Sequence, residues 1–413
     1  MNSGDTAWLL IATALVLFMT PGLAFFYGGM VRAKNMLGML MQNFFAIGLI
    51  AVLWVVVGFS LAFGRLGDGG WLGGFGHFGM AGVGPHVAQG MTIPFILFAA
   101  YQMTFAIITP ALITGATADR LKFGAYAVFI GVWLIVVYAP VAHWVFGGGW
   151  LAKLGALDFA GGAVVHINAG AAALAVVLVI GNRKGWPKEL MVPHSLPWTL
   201  IGTGILIFGW AGFNGGSALA ADGVAAQALM NTFVAAASAM LGWLVVERLK
   251  DGHATTLGAG SGAVAGLVAI TPCAGYVGTM PALIIGAIAG AVCFLALVIK
   301  RTFKFDDALD VIAVHLVGGV TGSILLGLFA DAAVNKAVKH EGLFIGGGGR
   351  LLRDQFIASV VVFAFSFVAS LIIAKVIDLT MGLRLDEAQE EAGMDLSLHA
   401  EAAYAFGESG SRG

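Results

Sequence analysis

Apolar residues run along this chain in blocks of about 20, the length a helix needs to cross the roughly 30 Å hydrocarbon core of a bilayer. Short polar or basic stretches separate them. Eleven blocks are found, near 6–31, 36–63, 92–117, 123–146, 160–181, 196–215, 224–246, 256–271, 279–299, 311–330 and 355–380. Each reads as a transmembrane helix. The first begins almost at once and is too long for the apolar core of a signal peptide, so it reads as span one. Within this apolar background the stretch Asp158–Gly170, DFAGGAVVHINAG, opens a helix that carries a lone ionisable side chain, His166. Such a group is expensive in lipid, so its default reading is functional, with a partner to be found. Asp310–Gly322, DVIAVHLVGGVTG, repeats the design around His315: an acid, Asp310 in the place of Asp158, then a Val-His pair and glycines. His166 is followed at i+3, i+4 and i+7 by Ala169, Gly170 and Ala173, and His315 by Gly318, Gly319 and Gly322. Both histidines therefore lie on narrow faces where helices can approach closely.

Composition agrees with the pattern. Of 413 residues 59% are hydrophobic and 10% charged, against roughly 25% charged in a soluble domain. The chain is a polytopic membrane protein, and its 61 glycines fit closely packed membrane helices. A net charge of −1 excludes the basic excess of a nucleic-acid binder. Cys273 and Cys293 form neither a disulfide framework nor a thiolate metal site and read as small core residues. Basic residues in the short loops, at Arg32, Lys34, Arg120, Lys122, Arg183, Lys184, Lys188, Arg248, Lys250, Lys300, Arg301, Lys304 and Arg384, fall on one side. The opposite side has Arg65, Lys153, Lys336, Lys339, Arg350 and Arg353 over longer loops. The positive-inside rule then places the N-terminus outside and the C-terminus in the cytoplasm.

Span one holds FMTPGLAFFYGG and span six holds FGWAGFNGG, and the two histidine helices are spans five and ten. This predicts two five-span units, about 6–181 and 196–330, which cross in opposite directions as an inverted repeat with span eleven, about 355–380, as a peripheral brace. The expected fold is all-α, eleven transmembrane helices in a domain over 1–381, followed by a cytoplasmic tail over 382–413.

Two buried histidines can ligate a haem, bind a metal, relay protons or line a pore. No CxxCH attachment signature is present, and no Cys, Asp or Glu sits at mid-span depth to complete a metal site. Pore lining is the reading that remains, with no cofactor. An apolar pore with two imidazoles and no central carboxylate is a poor path for a permanent cation, whose desolvation nothing repays. It suits a small neutral molecule, or a cation that sheds its proton at the mouth. A mouth that recruits cations should show aromatics. Tyr101 and Phe105 are one helical turn apart in span three, Phe146 ends span four, and span six supplies Phe213 with Ser217 shortly after. Taken singly, each fits an interfacial aromatic belt or core packing as well.

These segments resemble the ammonium transporter family, the Amt/Mep/Rh group, and its bacterial Amt branch rather than the Rh branch. The likeness runs from PGLAFFYGGMVRAKN through YQMTFAIITPALITGATADR, DFAGGAVVHINAG, GWAGFNGGSA and DVIAVHLVGGVTG to the tail. The resemblance implies a transporter rather than an enzyme, serving nitrogen uptake in the cell's inner (plasma) membrane as a homotrimer with one pore per subunit. It implies ammonium and ammonia as substrate, with methylammonium as analogue. His166 and His315 match the family's twin histidines, and Phe105 and Phe213 the stacked pair that gates the outer end of the pore. Tyr101, Phe146 and Ser217 match the outer recruitment site, with Ser217 as hydrogen-bond acceptor. Asp158 matches the acid below that site, and as a residue it reads mainly as an N-cap for span five. Trp210 and Thr271 match pore-adjacent positions, and Gln102 and Asn214 read as packing residues. Phe146 stands where bacterial members usually carry tryptophan, which predicts weaker recruitment. Whether the proton follows by a separate route, making transport electrogenic, is a family-level expectation, with Asp158 and the twin histidines as carriers.

Gly346–Gly349 with Arg350 lacks the GK[ST] of a phosphate loop and reads as a flexible outer loop. From about Gly382 acids predominate, and a solvated tail is the plain reading. LRLDEAQEEAGMD also resembles the family's regulatory tail, with Gly393 and Asp395 in matching places and Ala400 where glycine is usual. Docking on the basic loops is expected, notably at Lys300, Arg301 and Lys304, and the family implies a PII-type regulatory protein at the cytoplasmic exit. An ammonium sensor with little flux is the alternative, and it would carry an added cytosolic signalling domain.

Overall fold

The computed structural model describes residues 1–88 and 90–404. Arg412 and the rest of 405–413 lie outside the described residues. Ten helices are long and apolar enough to cross a membrane: α1 Ser3–Met30, α2 Ala33–Phe63, α3 Phe95–Thr117, α4 Phe123–Leu154, α5 Gly162–Ile180, α6 Leu196–Ala218, α7 Gly223–Asp251, α9 Thr279–Thr302, α10 Ile312–Phe329 and α11 Arg350–Met381. Between α7 and α9 lies α8, Thr256–Ile270, an apolar helix of 15 residues. At 1.5 Å per residue it is about 22 Å long, short of a full crossing on its own. Two short helices, α12 Glu387–Ala392 and α13 Met394–His399, form the tail. No strand occurs among the described residues. The chain is an all-helical, multi-pass membrane protein.

α1 packs along α6, α7 against α8 and α9, and α11 along α5. Small residues set these distances. A Cβ on Gly202 of α6 would lie 2.2 Å from the Phe26 nitrogen of α1, so only glycine admits this crossing. The helices carrying the two histidines cross in the same way. A Cβ on Gly170 would meet Leu316 at 2.6 Å, and one on Gly319 would meet the His166 Cβ at 3.1 Å. Of the small faces read from sequence, Gly170 and Gly319 thus form the contact between α5 and α10, whereas Gly318 and Gly322 face α8 and α9. α3 and α5 are enclosed on nearly all sides, whereas α7 and α11 turn most of their apolar surface outward, where lipid would cover it.

At the end bearing the short basic loops, a buried ionic network joins four segments. Asp119 accepts hydrogen bonds from Arg32 Nε (3.0 Å), Asn35 Nδ2 (2.5 Å) and Arg183 Nη1 (3.4 Å). Asp306 receives Arg183 Nε (2.7 Å) and Nη2 (2.9 Å), and Arg120 Nη2 donates to its carbonyl at 2.5 Å. Burial pushes the Asp306 carboxyl up, but the hydrogen bonds and charges of Arg183 and Arg120 outweigh it and hold the group below its ordinary value.

The tail docks on this network, at a place other than the one expected. Met394 N donates to Asn35 Oδ1 (2.8 Å) and Gly38 N to Asp395 Oδ1 (2.8 Å). Glu390 pairs with Arg384 at 2.6 Å, and Lys184 pairs with Glu387 and Glu391. Gly393 has φ +98° and presses against Lys34, where a Cβ would lie 2.5 Å from the Lys34 carbonyl. The anchors are therefore Lys34, Asn35 and Lys184, not Lys300, Arg301 and Lys304. Lys300 is already held by Asp310 at 2.5 Å and by the Asp307 carbonyl at 3.1 Å. Nor is the acidic stretch simply solvated, since Glu390 and Asp395 are buried.

Candidate functional site

α5 and α10 open as wide π-helical turns, Gly162–Ile167 and Ile312–Val317, and each carries its histidine within that turn. Such turns recur at functional sites because they release one backbone register. Both histidines are buried, and their rings face each other. Their Nδ1 atoms are 3.2 Å apart and the ring centroids 5.3 Å. Two neutral imidazoles at this distance share one proton across the Nδ1 edges, one donating and one accepting. Their Nε2 atoms make no hydrogen bond with the described residues, so the pair presents one donor and one acceptor to the space beside it. That space is a slot of about 10 Å3, lined otherwise by apolar side chains including Leu23, Ile108, Leu206 and Val264. It is about the size of one water molecule.

A continuous aromatic stack leads away from the pair. His166 lies parallel to Trp210 (5.6 Å, 23°) and to Phe213 (6.2 Å, 26°). Phe213 meets Phe105 at 4.3 Å, and Phe105 packs edge-on to Tyr101 (5.0 Å) and Phe146 (6.4 Å, 86°). Phe105 and Phe213 are both buried, so they close the slot on this side. Beyond them, Tyr101 OH donates toward the carbonyls of Gly212 (2.8 Å) and Phe213 (2.9 Å). Ser217 Oγ donates to the Phe213 carbonyl (2.8 Å), which commits its only hydrogen. Its Oγ also lies 3.2 Å from Tyr101 OH, and its remaining acceptor capacity is open to a ligand's N–H. Among the described residues no three of His, Cys, Asp or Glu come together as a metal site.

The sequence profile described as the Ammonium Transporter Family matches residues 7–404. The chain belongs to the ammonium transporter family. The ammonium transporter of Mycobacterium tuberculosis (strain ATCC 25618 / H37Rv) is 50% identical, over 98% of this chain and 91% of that one. The crystal structure of Candida albicans Mep2 superposes with a TM-score of 0.87 at 38% identity, covering 94% of this chain and 87% of that one. A structure titled Sensor Amt Protein matches with a TM-score of 0.87 at 28% identity, covering 96% and 98%. Relatives named ammonium transporter at 46–50% identity include those of Mycobacterium tuberculosis and Bacillus subtilis, which places this transporter in the bacterial Amt branch.

In this ammonium transporter Tyr101, Phe105, Phe146, His166, Trp210, Phe213, Ser217 and His315 fall along one line. Thr271 stands behind it, accepting from Trp210 Nε1 at 2.9 Å and donating to the Leu267 carbonyl at 2.7 Å. Asn214 donates to Thr232 Oγ1 (2.9 Å), away from the line. Asp158 does not reach the rings. Its Oδ1 accepts from Gly161 N (2.8 Å) and Gly162 N (2.6 Å), and its Oδ2 from Ala163 N (2.8 Å) and Val164 N (3.1 Å), so it satisfies the open end of α5. Burial raises its carboxyl above the ordinary value, and the four N–H groups offset part of that.

Sequence reading paired Asp158 with Asp310, and the structure corrects this. The residue that caps α10 is Asp307, whose Oδ1 and Oδ2 accept from Val311 N (3.1 Å) and Ile312 N (2.7 Å). Asp310 instead has φ +62° and pairs with Lys300. Asp158 and Asp307 each precede their histidine by the same number of residues, and that register was the signal available in the sequence.

Proposed function

We propose that this protein recruits ammonium among Tyr101, Phe146 and Ser217, deprotonates it at the Phe105–Phe213 pair, and conducts ammonia past His166 and His315. The observation that carries this reading is the closed phenyl pair stacked directly above facing imidazoles in an otherwise apolar slot. A permanent cation entering the slot would lose its hydration with no carboxylate to replace it. Ammonium differs from potassium of similar size in that it can leave a proton behind. The imidazole edges then offer ammonia one donor and one acceptor. The proton takes a separate polar route with Asp158 and the twin histidines as carriers, so that transport is electrogenic.

The wider arrangement belongs to the same proposal. α1 to α5 and α6 to α10 form two inverted five-helix units, with α8 completing eleven crossings and α11 bracing the outside. Residues 1–381 are the transport domain and 382–413 a regulatory tail, in which Gly393 and Asp395 hold the docked position. The protein works as a homotrimer in the cell's inner (plasma) membrane for nitrogen uptake, N-terminus outside and C-terminus cytoplasmic, with a PII-type protein acting at the cytoplasmic face.

Current evoked by ammonium on proteoliposomes adsorbed to a solid-supported membrane tests this reading, with potassium and methylammonium as controls. An ammonium-specific current with no potassium response is expected. Ammonia flux without current would remove the separate proton route. Absence of both would favour a sensor, the second reading, which the likeness to the sensor Amt structure keeps in view.

A further inference from the structure

Away from the pore line, where α4 leads into α5 and α10 into α11, lies a second cavity of about 450 Å3. It has the size of a small-molecule site. Its charged lining is Lys153, Lys339, His340, Arg350 and Asp158. The positive charges are only partly cancelled locally. Asp158 spends both oxygens on four backbone N–H groups. The nearby Asp354 accepts Arg353 Nε (3.0 Å) and Nη2 (2.7 Å) on Oδ1 and turns Oδ2, which has no hydrogen bond among the described residues, toward Arg350 Nε at 4.0 Å. Lys153 and Lys339 have no ion pair among the described residues.

The walls are built rather than accidental. Gln355, itself buried, accepts from Leu157 N at 2.7 Å and donates to the Leu157 carbonyl at 2.9 Å, which fixes the start of α11 against the segment before α5. On the other side Asn335 Nδ2 donates to the Gly275 carbonyl (3.1 Å) and Asp331 N to the Tyr276 carbonyl (2.9 Å), which fixes the loop carrying Lys339 and His340. α11 also begins here, at Gly349, whose lack of a side chain leaves the first-turn N–H groups open. The helix's positive end thus adds to the field of the side chains.

We propose that this cavity binds a phosphate group, either free or as the headgroup of an anionic lipid. Lys153, Lys339 and Arg350 face a single half-engaged carboxylate, Asp354, and this excess of positive charge calls for a ligand with several oxygen acceptors and more than one partner per oxygen; a guanidinium beside ammonium groups matches phosphate. Phe356 and Val360 just below on α11 are exposed, so the cavity opens near the level where lipid headgroups would meet this apolar helix. Asp158, a carrier in the proposed proton route, forms part of the cavity's wall, and the test therefore reads binding rather than transport.

The test uses the full-length protein in neutral detergent and in bilayers. Isothermal titration with inorganic phosphate measures the free anion. Native mass spectrometry after reconstitution in phosphatidylcholine with phosphatidylglycerol measures headgroup retention. The double variant Lys339→Gln/Arg350→Gln should weaken whichever ligand binds by at least tenfold. The charge-matched variant Arg65→Gln/Lys336→Gln, at the same end of the molecule but outside the cavity, should leave it unchanged, and far-UV circular dichroism confirms that both fold. Saturable phosphate binding identifies the free anion, and lipid retention without it identifies the headgroup. Binding of neither ligand, or equal losses in the two double variants, overturns the proposal.

Discussion

Replacing Asp158 by asparagine tests whether this acid acts through the helix it caps. The carboxylate accepts four backbone N–H groups at 2.6 to 3.1 Å, two on each oxygen. Asparagine keeps one acceptor oxygen and sets an NH2 group against the other two donors. Two hydrogen bonds to a charged group are then lost, at about 1.5–3 kcal/mol each, so the variant should be destabilised by roughly 3–6 kcal/mol. Asp307→Asn supplies an internal comparison, because that carboxylate receives only two N–H groups, one per oxygen. It loses one bond, and at pH 8, where the group is ionised, its cost should be about half as large. Thermal unfolding of both variants in detergent at pH 8, followed by tryptophan fluorescence, measures the order. The reasoning fails if Asp158→Asn unfolds with the parent, or if Asp307→Asn is the more damaged of the two. Should Asp158→Asn keep the parent's unfolding temperature yet lose ammonium current, the carboxylate would be acting on the cation directly.

Phe146→Trp enlarges the cation–π face at the mouth, by about 0.5–1 kcal/mol for a partly exposed ring, so half-saturating ammonium in the current assay should fall about two- to fivefold. Ala400 has φ +54° at the end of α13, a conformation that costs an L residue about 1 kcal/mol relative to glycine. Ala400→Gly should therefore tighten tail docking, seen as slower amide hydrogen exchange over Glu387–His399. Burial and the neighbouring Asp310 charge push Asp307 up to about 7, above the roughly 3.9 of an unfolded aspartate. The folded chain then holds a proton that the unfolded chain has released. The group's stabilising effect is complete below about pH 4 and is lost as pH rises through 7. Between pH 5 and 8 the parent should lose thermal stability relative to Asp307→Asn; a parallel pH dependence would show that Asp307 is ionised throughout.

How much of this could be read beforehand depended on whether a feature was local. The two histidines and their glycine faces were legible because ionisable groups are costly in lipid and small residues recur at helical spacing. The aromatic line was legible only as separate residues from three helices. Nothing in the spacing of Tyr101, Phe146 and Ser217 shows that they meet. The acid matching Asp158 was misassigned because Asp306, Asp307 and Asp310 crowd the same few positions, and Asp310 is the one adjoining the hydrophobic run. Register decides between them, since the carboxylate must reach back along the first turn to the free N–H groups. The tail's anchor was missed for an electrostatic reason. Lys300, Arg301 and Lys304 give the densest positive run, but the leading lysine is spent on Asp310, whereas Lys184 keeps its charge available to Glu387 and Glu391.

That anchoring has a structural consequence at the basic-loop end of the helix carrying His315. The Met394 backbone binds Asn35, Asn35 binds Asp119, Asp119 shares Arg183 with Asp306, and Asp306 adjoins Asp307, the cap of the helix carrying His315. Buried ion pairs of this kind contribute little net stability, because desolvation offsets most of the Coulomb gain. Removing one member is costly, since it leaves an uncompensated charge in a dry site. Their effect is therefore on geometry: each partner must occupy one position for the others to be satisfied. A docked tail supplies one of the hydrogen-bond donors in that set, through Met394 N. The seating of α10, and with it the 3.2 Å approach of the two imidazoles, shares a single polar frame with the position of the tail.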